Sequence, residues 1–357
     1  MNLRDIARLS GVSRSTVSRV INDDPRVSDA VRARVKEIIE REGYQPHAAA
    51  RALATRRSGM FGLVIPQLLS TLFGDPWYPL FTQGCLDAAR ENGVGLMLLM
   101  EPVNDPLAVE HLIDRFVMAK RVDGLVIAAS LVDDVLIAKL ENINFPYMLV
   151  GRSRDEDRSF VDIRNREASA EATRHLLSHG RCRPAMIAGP DDMLAAHDRR
   201  LGFQDAVCAA GFDPAQVPIL EVPFSQSGAY NTALELLASD DRPDAIFAAS
   251  DSMAYGVMRA ASELGISVPD DLGIFGFDGI EPDRLFAGEL STVRQPVNQL
   301  GSVAISRLND FVHHRRTGPE QVWLETELVL RHSCGCRSPV DTHAAMASGK
   351  EGRITPV

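Results

Sequence analysis

The sequence predicts an α/β protein: an N-terminal all-α helix-turn-helix head followed by two doubly wound parallel-sheet lobes. Three observations predict it. The first 45 residues hold three segments with apolar side chains at helical spacing. From Phe61 onward, apolar runs of four to six residues alternate with helical segments, the pattern of parallel strands covered on both faces. Near residue 160 the alternation breaks and restarts, which divides the body into two lobes.

In the head, Leu3, Ile6, Ala7 and Leu9 form an apolar stripe, so Leu3 to Ser10 reads as a short amphipathic helix. Gly11 allows a tight turn, and Ser13 is suited to cap the next helix. On that second helix Thr16, Val17, Val20 and Ile21 fall on one half of the wheel. Arg14, Ser15, Ser18, Arg19 and Asn22 fall on the other. The polar half is basic, rich in hydrogen-bond donors and free of acids. A helix needs that chemistry to enter a DNA major groove, where Arg pairs with guanine and small hydroxyls fit several bases. The alternative is a small bundle with incidental arginines, and the absence of any acid on this face argues against it. A third helix follows, with Ser28 as its cap, Val31, Val35, Ile38 and Ile39 as its stripe and Gly43 as its stop.

The chain of 357 residues has a formal net charge of -10, which taken alone argues against nucleic acid. The distribution reverses that inference. Residues 1–60 hold 12 Lys and Arg against 7 Asp and Glu, and the remainder holds 26 against 41. A basic head on an acidic body is the asymmetry of a DNA-binding module joined to a regulatory domain. Met1 to Arg8 lacks the apolar run of a secretory signal, and no segment approaches eighteen continuous apolar residues. A soluble, cytoplasmic protein with no membrane partner is expected.

The linker Gln45 to Ser58 is broken by Pro46 and then rich in Ala. Its helical stretch is too short to be stable alone, since isolated helices below roughly 12–15 residues are marginal in water. Leu53, flanked by Arg51, Arg56 and Arg57, is a candidate wedge for the DNA minor groove. A plain flexible linker with helical tendency fits the same composition.

In the body the strands fall at Phe61–Ile65, Gly95–Met100, Gly124–Ala129, Tyr147–Val150, Ala185–Ala188, near Ile219, Ala245–Ala249 and Leu272–Phe277. Two such lobes form a cleft at the carboxyl ends of their strands, where a small ligand binds. The loops there carry Asp75-Pro-Trp77-Tyr78, Arg199, Phe224, Ser250-Asp251 and Asp278. Arg and Asp can hydrogen-bond hydroxyls, and Trp and Phe can stack on the apolar face of a ring, a mix suited to a sugar or other polyol. Asp251, which opens a helix, reads as a cap rather than a ligand contact.

No catalytic set emerges: G-x-S-x-G, P-loop and H-E-x-x-H motifs are absent, and Gly273 to Gly279 is not a G-x-G-x-x-G. Asp191-Asp192 are sequence neighbours with nothing to complete a mechanism. No cofactor is expected. The five cysteines are scattered, so no disulfide is expected. Cys334-Gly-Cys336 lacks a second ligand pair at zinc spacing and is not taken as a metal site. His313-His314 beside Arg315 and Arg316 reads as a solvated helix end. A sugar-binding or sugar-processing protein that shares only the body fold is the competing class, and the helical head argues against it.

Motifs from Leu3 to Gly335 together resemble the lac repressor (LacI/GalR) family of bacterial transcription regulators. They include Asp5-Ile-Ala, Gly11-Val-Ser, Thr16-Val-Ser-Arg-Val-Ile-Asn22, Gly43-Tyr-Gln-Pro46 and Ala50-Arg-Ala-Leu53. The body contributes Arg199-Arg-Leu-Gly-Phe203, Ser250-Asp-Ser-Met-Ala254, Gly276-Phe-Asp278 and Leu290-Ser-Thr-Val-Arg-Gln-Pro296. The resemblance implies a periplasmic-binding-protein-like (type I) body and a homodimer on a pseudo-palindromic double-stranded operator. Arg14, Ser15 and Arg19 would read bases, and paired hinge helices would insert Leu53. With Ser13, Thr16, Ser18, Asn22 and Arg51 these are the candidate DNA contacts. Arg199 and Asp278 match the family's ligand-holding pair, and Trp77 and Phe224 fall near its aromatic contacts. With Tyr78 and Ser250 they are the candidate effector contacts, the effector being a sugar or sugar derivative. The chain departs from the family pattern at His47, Ser250 and Gly279, and Leu68 to Pro79 looks longer than usual.

The expected division is a head over 1–45, a hinge over 46–59 and an effector and dimerisation domain over 60–337. Lobe 1 is drawn at about 60–160 and 292–322, and lobe 2 at about 161–291 and 323–337. Residues 338–357 contain no leucine, so a leucine-heptad tetramerisation helix is not expected, and a dimer with a disordered tail is.

Overall fold

Apolar runs must be buried on both faces, and four strands read from such runs meet that demand in full, as does β5 (Phe160–Ile163) despite its Asp162. In the computed structural model every residue of β3 (Gly124–Ala128), β6 (Pro184–Ala188), β8 (Ala245–Ala248) and β9 (Gly273–Asp278) is buried. The structure describes residues 2–21, 24–44, 57–65, 75–100, 105–128, 135–153, 157–280, 289–313 and 318–336. The hinge segment 46–56 with Arg51 and Leu53, Asn22, residues 66–74 and the tail 338–357 lie outside that set. Two compact units result, one holding the three N-terminal helices and the other both sheets.

The helical unit comprises α1 (Leu3–Ser10), α2 (Arg14–Ile21) and α3 (Asp29–Arg41). Ile6, Val17, Val20 and Val35, each at most 1% exposed, close its core with Ile38 and Tyr44. Asn2 caps α1 by accepting from the Arg4 and Asp5 amides, and Asp5 accepts in return from the Asn2 amide, a reciprocal capping box. Gly11 takes the left-handed conformation, φ 64°, that ends α1 and turns the chain into α2. Ser13 caps α2 as expected, its Oγ accepting from the Thr16 amide at 3.1 Å. Ser28 stands at the N-cap of α3 but makes no side-chain cap bond.

In the other unit β1 (Met60–Val64), β2 (Gly95–Leu99), β3, β4 (Tyr147–Val150) and β5 (Phe160–Ile163) join β11 (Gln321–Leu324) in one sheet. Its order is β11-β5-β4-β3-β1-β2. The second sheet runs β12-β10-β9-β8-β6-β7, adding β7 (Ile219–Glu221), β10 (Ser291–Arg294) and β12 (Glu327–Val329). β12 pairs antiparallel to β10, while β6, β7, β8, β9 and β10 run parallel. Each sheet places its first strand second from an edge, the doubly wound order that opens a crevice at the strand ends.

Helices cover both sheets: α4 (Trp77–Glu91), α5 (Pro106–Leu112), α6 (Val135–Asn142) and α11 (Val297–Val312) belong with the first. α7 (Asn165–Leu177), α8 (Leu194–Ala209), α9 (Gln226–Leu237) and α10 (Asp251–Glu263) belong with the second. The α4–α11 pair approaches to backbone contact. A Cβ at Gly84 would meet the Asn298 carbonyl, and one at Gly301 would meet the Phe81 carbonyl and the Cys85 amide.

The lobe limits differ from those drawn on the sequence by a few residues at each crossing. β5 joins the first sheet, β10 the second and β11 the first, so the chain crosses after Ile163, after Arg294 and after Leu324. β5 and β10 escape an apolar-run search because Asp162 interrupts one and the other reads Ser-Thr-Val-Arg.

The backbone contact of α4 with α11 leaves no room for a methyl group. Gly301→Ala should therefore destabilise the two-sheet unit by about 1–3 kcal/mol, the usual cost of overpacking, read as a lower urea midpoint. An unchanged midpoint would mean that the two helices separate freely.

Candidate functional site

Two surfaces carry the chemistry that the sequence singled out. On the first, Ser13, Arg14, Ser15 and Arg19 are exposed and Thr16 and Ser18 half-buried, while Val17 and Val20 face the core. The Ser13 hydroxyl lies 2.6 Å from that of Ser15 and 2.9 Å from that of Thr16, so the helix start presents a tied cluster of hydroxyls. Asp24 is held by a forked pair from Arg26, Nε to Oδ1 at 3.0 Å and Nη2 to Oδ2 at 2.6 Å. Hydrogen bonds from Arg26 keep that carboxyl below the usual range, so it stays ionised as one half of an ion pair.

The second is a cavity of about 200 Å³ at the carboxyl ends of the strands. Trp77, Tyr78, Arg199, Phe224, Ser250 and Asp278 all line it. Their settings differ from the sequence reading in three ways. Trp77 lies in the first turn of α4 and Arg199 in the second turn of α8, not in loops, because both helices begin earlier than their apolar spacing suggests. Asp278 ends β9 itself. Ser250, read as a ligand contact, is the N-cap of α10, its Oγ accepting from the Met253 amide at 3.2 Å, which leaves its hydroxyl proton free to donate. Asp251, read as the cap, instead grips the chain beyond β9. Its Oδ2 accepts from the Ile280 amide and its Oδ1 from the Thr292 hydroxyl, each at 2.6 Å.

Arg199 is the centre of the cavity. Its Nε donates to Asn165 Oδ1 at 2.9 Å, and its Nη1 to the Ala249 carbonyl at 2.6 Å and Asp278 Oδ1 at 3.4 Å. Its guanidinium lies 3.7 Å from the centre of the Phe277 ring. Burial lowers its pKa and the nearby carboxylates oppose that, Asp278 foremost; an arginine so placed stays cationic.

Asp278 carries a backbone φ of 120°, a conformation that costs a non-glycine residue about 1–3 kcal/mol. Gln295 holds it, donating from Nε2 to Oδ1 at 2.6 Å and from its amide to the Asp278 carbonyl at 3.2 Å. Burial pushes the Asp278 carboxyl up to about 7, against the pull of Arg199 and with a push from Asp75. Burial likewise raises Asp162 to about 6, opposed by the amides of Ile163 and Arg152. Asp75 is also raised by burial, and its Oδ1 accepts from the Trp77 amide at 3.0 Å.

Several contributors escaped the sequence reading. Asp162 and Asn165 lie at the first chain crossing, where Asn165 Nδ2 donates to Asp162 Oδ1 at 3.1 Å. Arg152, which follows β4, forks onto Asp198 of α8 with both contacts at 2.5 Å and so ties the two lobes. Gln295 stood inside a quoted motif without a role of its own. On the wall, Trp77 stacks on Phe81 at 5.0 Å, and Phe224 rests on Gly189, where a Cβ would strike its ring.

The exposed acid-free helix and the cavity between two doubly wound lobes define a class: a helix-turn-helix chain with a ligand-binding body. Residues 2–47 match the model for bacterial regulatory proteins of the lacI family, and residues 173–334 match a periplasmic binding protein-like domain. The chain is 33% identical over 335 residues to the HTH-type transcriptional regulator CelR of Thermobifida fusca, covering 93% of this chain and 97% of that protein. It is 29% identical over 335 residues to catabolite control protein A of Priestia megaterium, covering 93% and 99%. Among solved structures it is similar to a CelR–cellobiose complex, with TM-score 0.72, 32% identity and coverage of 93% and 99%. It shares its fold with the lac repressor dimer bound to operator and an anti-inducer, with TM-score 0.79, 24% identity and coverage of 94% and 99%. The chain belongs to the lacI family of bacterial regulatory proteins. These are DNA-binding transcription regulators, not enzymes.

A carboxyl with a raised folded pKa binds its proton more tightly folded than unfolded. It therefore stabilises the fold below the unfolded pKa and loses that contribution as pH rises through the folded pKa. With Asp162 near 6 and Asp278 near 7, the melting temperature of the ligand-free protein should fall between pH 5 and 8. Asp278→Asn should flatten the upper part of that slope, and an unaltered slope would remove Asp278 from the account.

Proposed function

We propose that the chain is a repressor that reads a pseudo-palindromic operator as a homodimer and responds to a neutral carbohydrate held in the cavity. One observation carries the choice of ligand: Asp75, Asp162 and Asp278, all buried, line the cavity with the Arg199 guanidinium. Carboxylates accept from sugar hydroxyls and the guanidinium donates to sugar oxygens. The surplus of negative charge disfavours a phosphate or carboxylate ligand in so buried a place. Trp77 and Phe224 supply flat apolar walls for the C–H faces of a sugar ring. Tyr78 and Ser250 complete the proposed contact set. The solved CelR structure is a cellobiose complex, which makes a glucoside the first ligand to test.

On the DNA side, Arg14, Ser15 and Arg19 would meet base edges, and Ser13, Thr16 and Ser18 would seat the helix start against the backbone. Asn22, Arg51 and Leu53 complete that set from the sequence alone, with Leu53 as the minor-groove wedge. Leu86 on α4 and Leu98 on the edge strand β2 remain 52% and 46% exposed, which supports self-association through the first lobe. Among the described residues no helix is long and apolar enough to cross a membrane, which fits a regulator with a DNA partner in the cytoplasm. By linkage, an inducing sugar binds the DNA-free arrangement more tightly than the operator-bound one.

Isothermal calorimetry with neutral glucosides against sugar phosphates tests the ligand class, and tighter binding of the phosphates would overturn it. Arg199→Ala should keep operator binding and lose release by sugar, followed by fluorescence anisotropy of labelled operator; wild-type release would remove Arg199 from the site. Arg14→Ala should cost about 1–3 kcal/mol at the base it contacts and relax preference there. Unchanged operator preference in a binding-site selection would take the base-reading role from α2.

A further inference from the structure

A second cluster of chemistry-bearing side chains sits apart from the cavity lining. His175 lies in the last turn of α7, and His179 follows one turn later, just past the helix end. Cys334 closes a short 3-10 turn, His332–Cys334, after β12, and Cys336 follows at the end of the described chain. Between them Gly335 takes φ 111°, which reverses the chain so that both thiols face the histidines. The two pairs are 159 residues apart, so neither spacing discloses the other in the sequence. The second ligand pair that Cys334-Gly-Cys336 lacks there is supplied by the fold.

All four donor atoms lie within 4.8 Å of one another. His175 Nε2 is 3.3 Å from His179 Nε2, 3.4 Å from Cys334 Sγ and 3.5 Å from Cys336 Sγ. Cys336 Sγ is 3.8 Å from His179 Nε2. Hydrogen bonding alone does not account for this. One ring nitrogen carries either a single proton or a single lone pair, and His175 Nε2 has three neighbours within bonding reach. A cation at the common centre satisfies all four at once. Zinc bound tetrahedrally, at about 2.3 Å to sulfur and about 2.0–2.1 Å to nitrogen, sets N–N edges of about 3.3 Å and N–S edges of about 3.5 Å. Four of the six donor–donor separations fall on those edges to within about 0.3 Å, and all six lie within 4.8 Å.

We propose that His175, His179, Cys334 and Cys336 form a Cys2His2 zinc site that fastens the end of the last strand crossing to α7. Four protein ligands leave no open position, so the site is structural rather than catalytic. Cys334 is buried while His179 is exposed and Cys336 half-buried, which gives the ion a way in from solvent. The site rests on none of the residues proposed to hold DNA or sugar.

The test uses the full chain, purified under reducing conditions without chelator, loaded with zinc and desalted. Mass spectrometry of metals should find about one zinc per chain. Cobalt(II) added to the stripped protein should give the intense visible bands of a tetrahedral site and a thiolate-to-cobalt charge-transfer band. His179→Ala, at an exposed position, should lose the zinc and the tetrahedral cobalt spectrum while keeping its circular dichroism; Cys336→Ser should do the same. The proposal is overturned if the wild-type chain holds no zinc after loading, if its cobalt spectrum is octahedral, or if both variants retain full metal. It is equally overturned if the reduced, freshly purified chain regains a Cys334–Cys336 disulfide in the presence of zinc, detected as a loss of two hydrogens in intact mass.

Discussion

The burial of one positive charge organises the body of this protein. Arg199 is 6% exposed, and a guanidinium out of water must be compensated on every side. Its partners come from separate places in the chain: Asn165 at the start of α7, the Ala249 carbonyl beyond β8, and Asp278 at the end of β9, with the Phe277 ring beneath. Each partner is in turn fixed by another. Asn165 is tied to Asp162, Asp278 to Gln295, and the chain beyond β9 to Asp251 and Thr292. Loss of one member of such a buried set strands the others without partners, at a cost of about 3–5 kcal/mol for a charged one.

This arrangement explains why the residues around the cavity are polar where the strands behind them are not. Ile246, Phe247, Ile274 and Phe275 are fully buried and build a rigid floor. At the strand ends the side chains change to Asp, Asn, Gln and Ser, and the backbone of Asp278 is held in a costly conformation. The apolar strands supply the stability that such a site consumes, so the polar groups can be set for a ligand rather than for the fold. Burial raises both Asp162 and Asp278, and Arg199 offsets part of that at each.

Much of this was legible in the sequence for identifiable reasons. The eight strands read from apolar runs are buried or inner strands, whose chemistry leaves no alternative, together with the edge strands β2 and β7. The strands β5 and β10 were not legible as such because each mixes polar residues into buried positions, and the first turns of α4 and α8 were missed because both helices begin before their apolar spacing does. Arg199 and Asp278 could be singled out, whereas Asp162, Asn165 and Arg152 could not. A lone Asp or Asn in sequence does not announce that a chain crossing will bring it beside a cation. The histidine–cysteine cluster failed for a related reason: both halves were visible, but only tertiary structure joins residues so far apart.

The three crossings between the lobes have a mechanical consequence. A single tether would leave two bodies free to swing, twist and slide, and a ligand could then stiffen them without directing them. Three covalent connections constrain the bodies more than one does, resisting shear and torsion more than bending. Arg152–Asp198 joins the two lobes, so a movement of one against the other works against that pair. In a chain built this way the arrangement of the lobes is written as an angle.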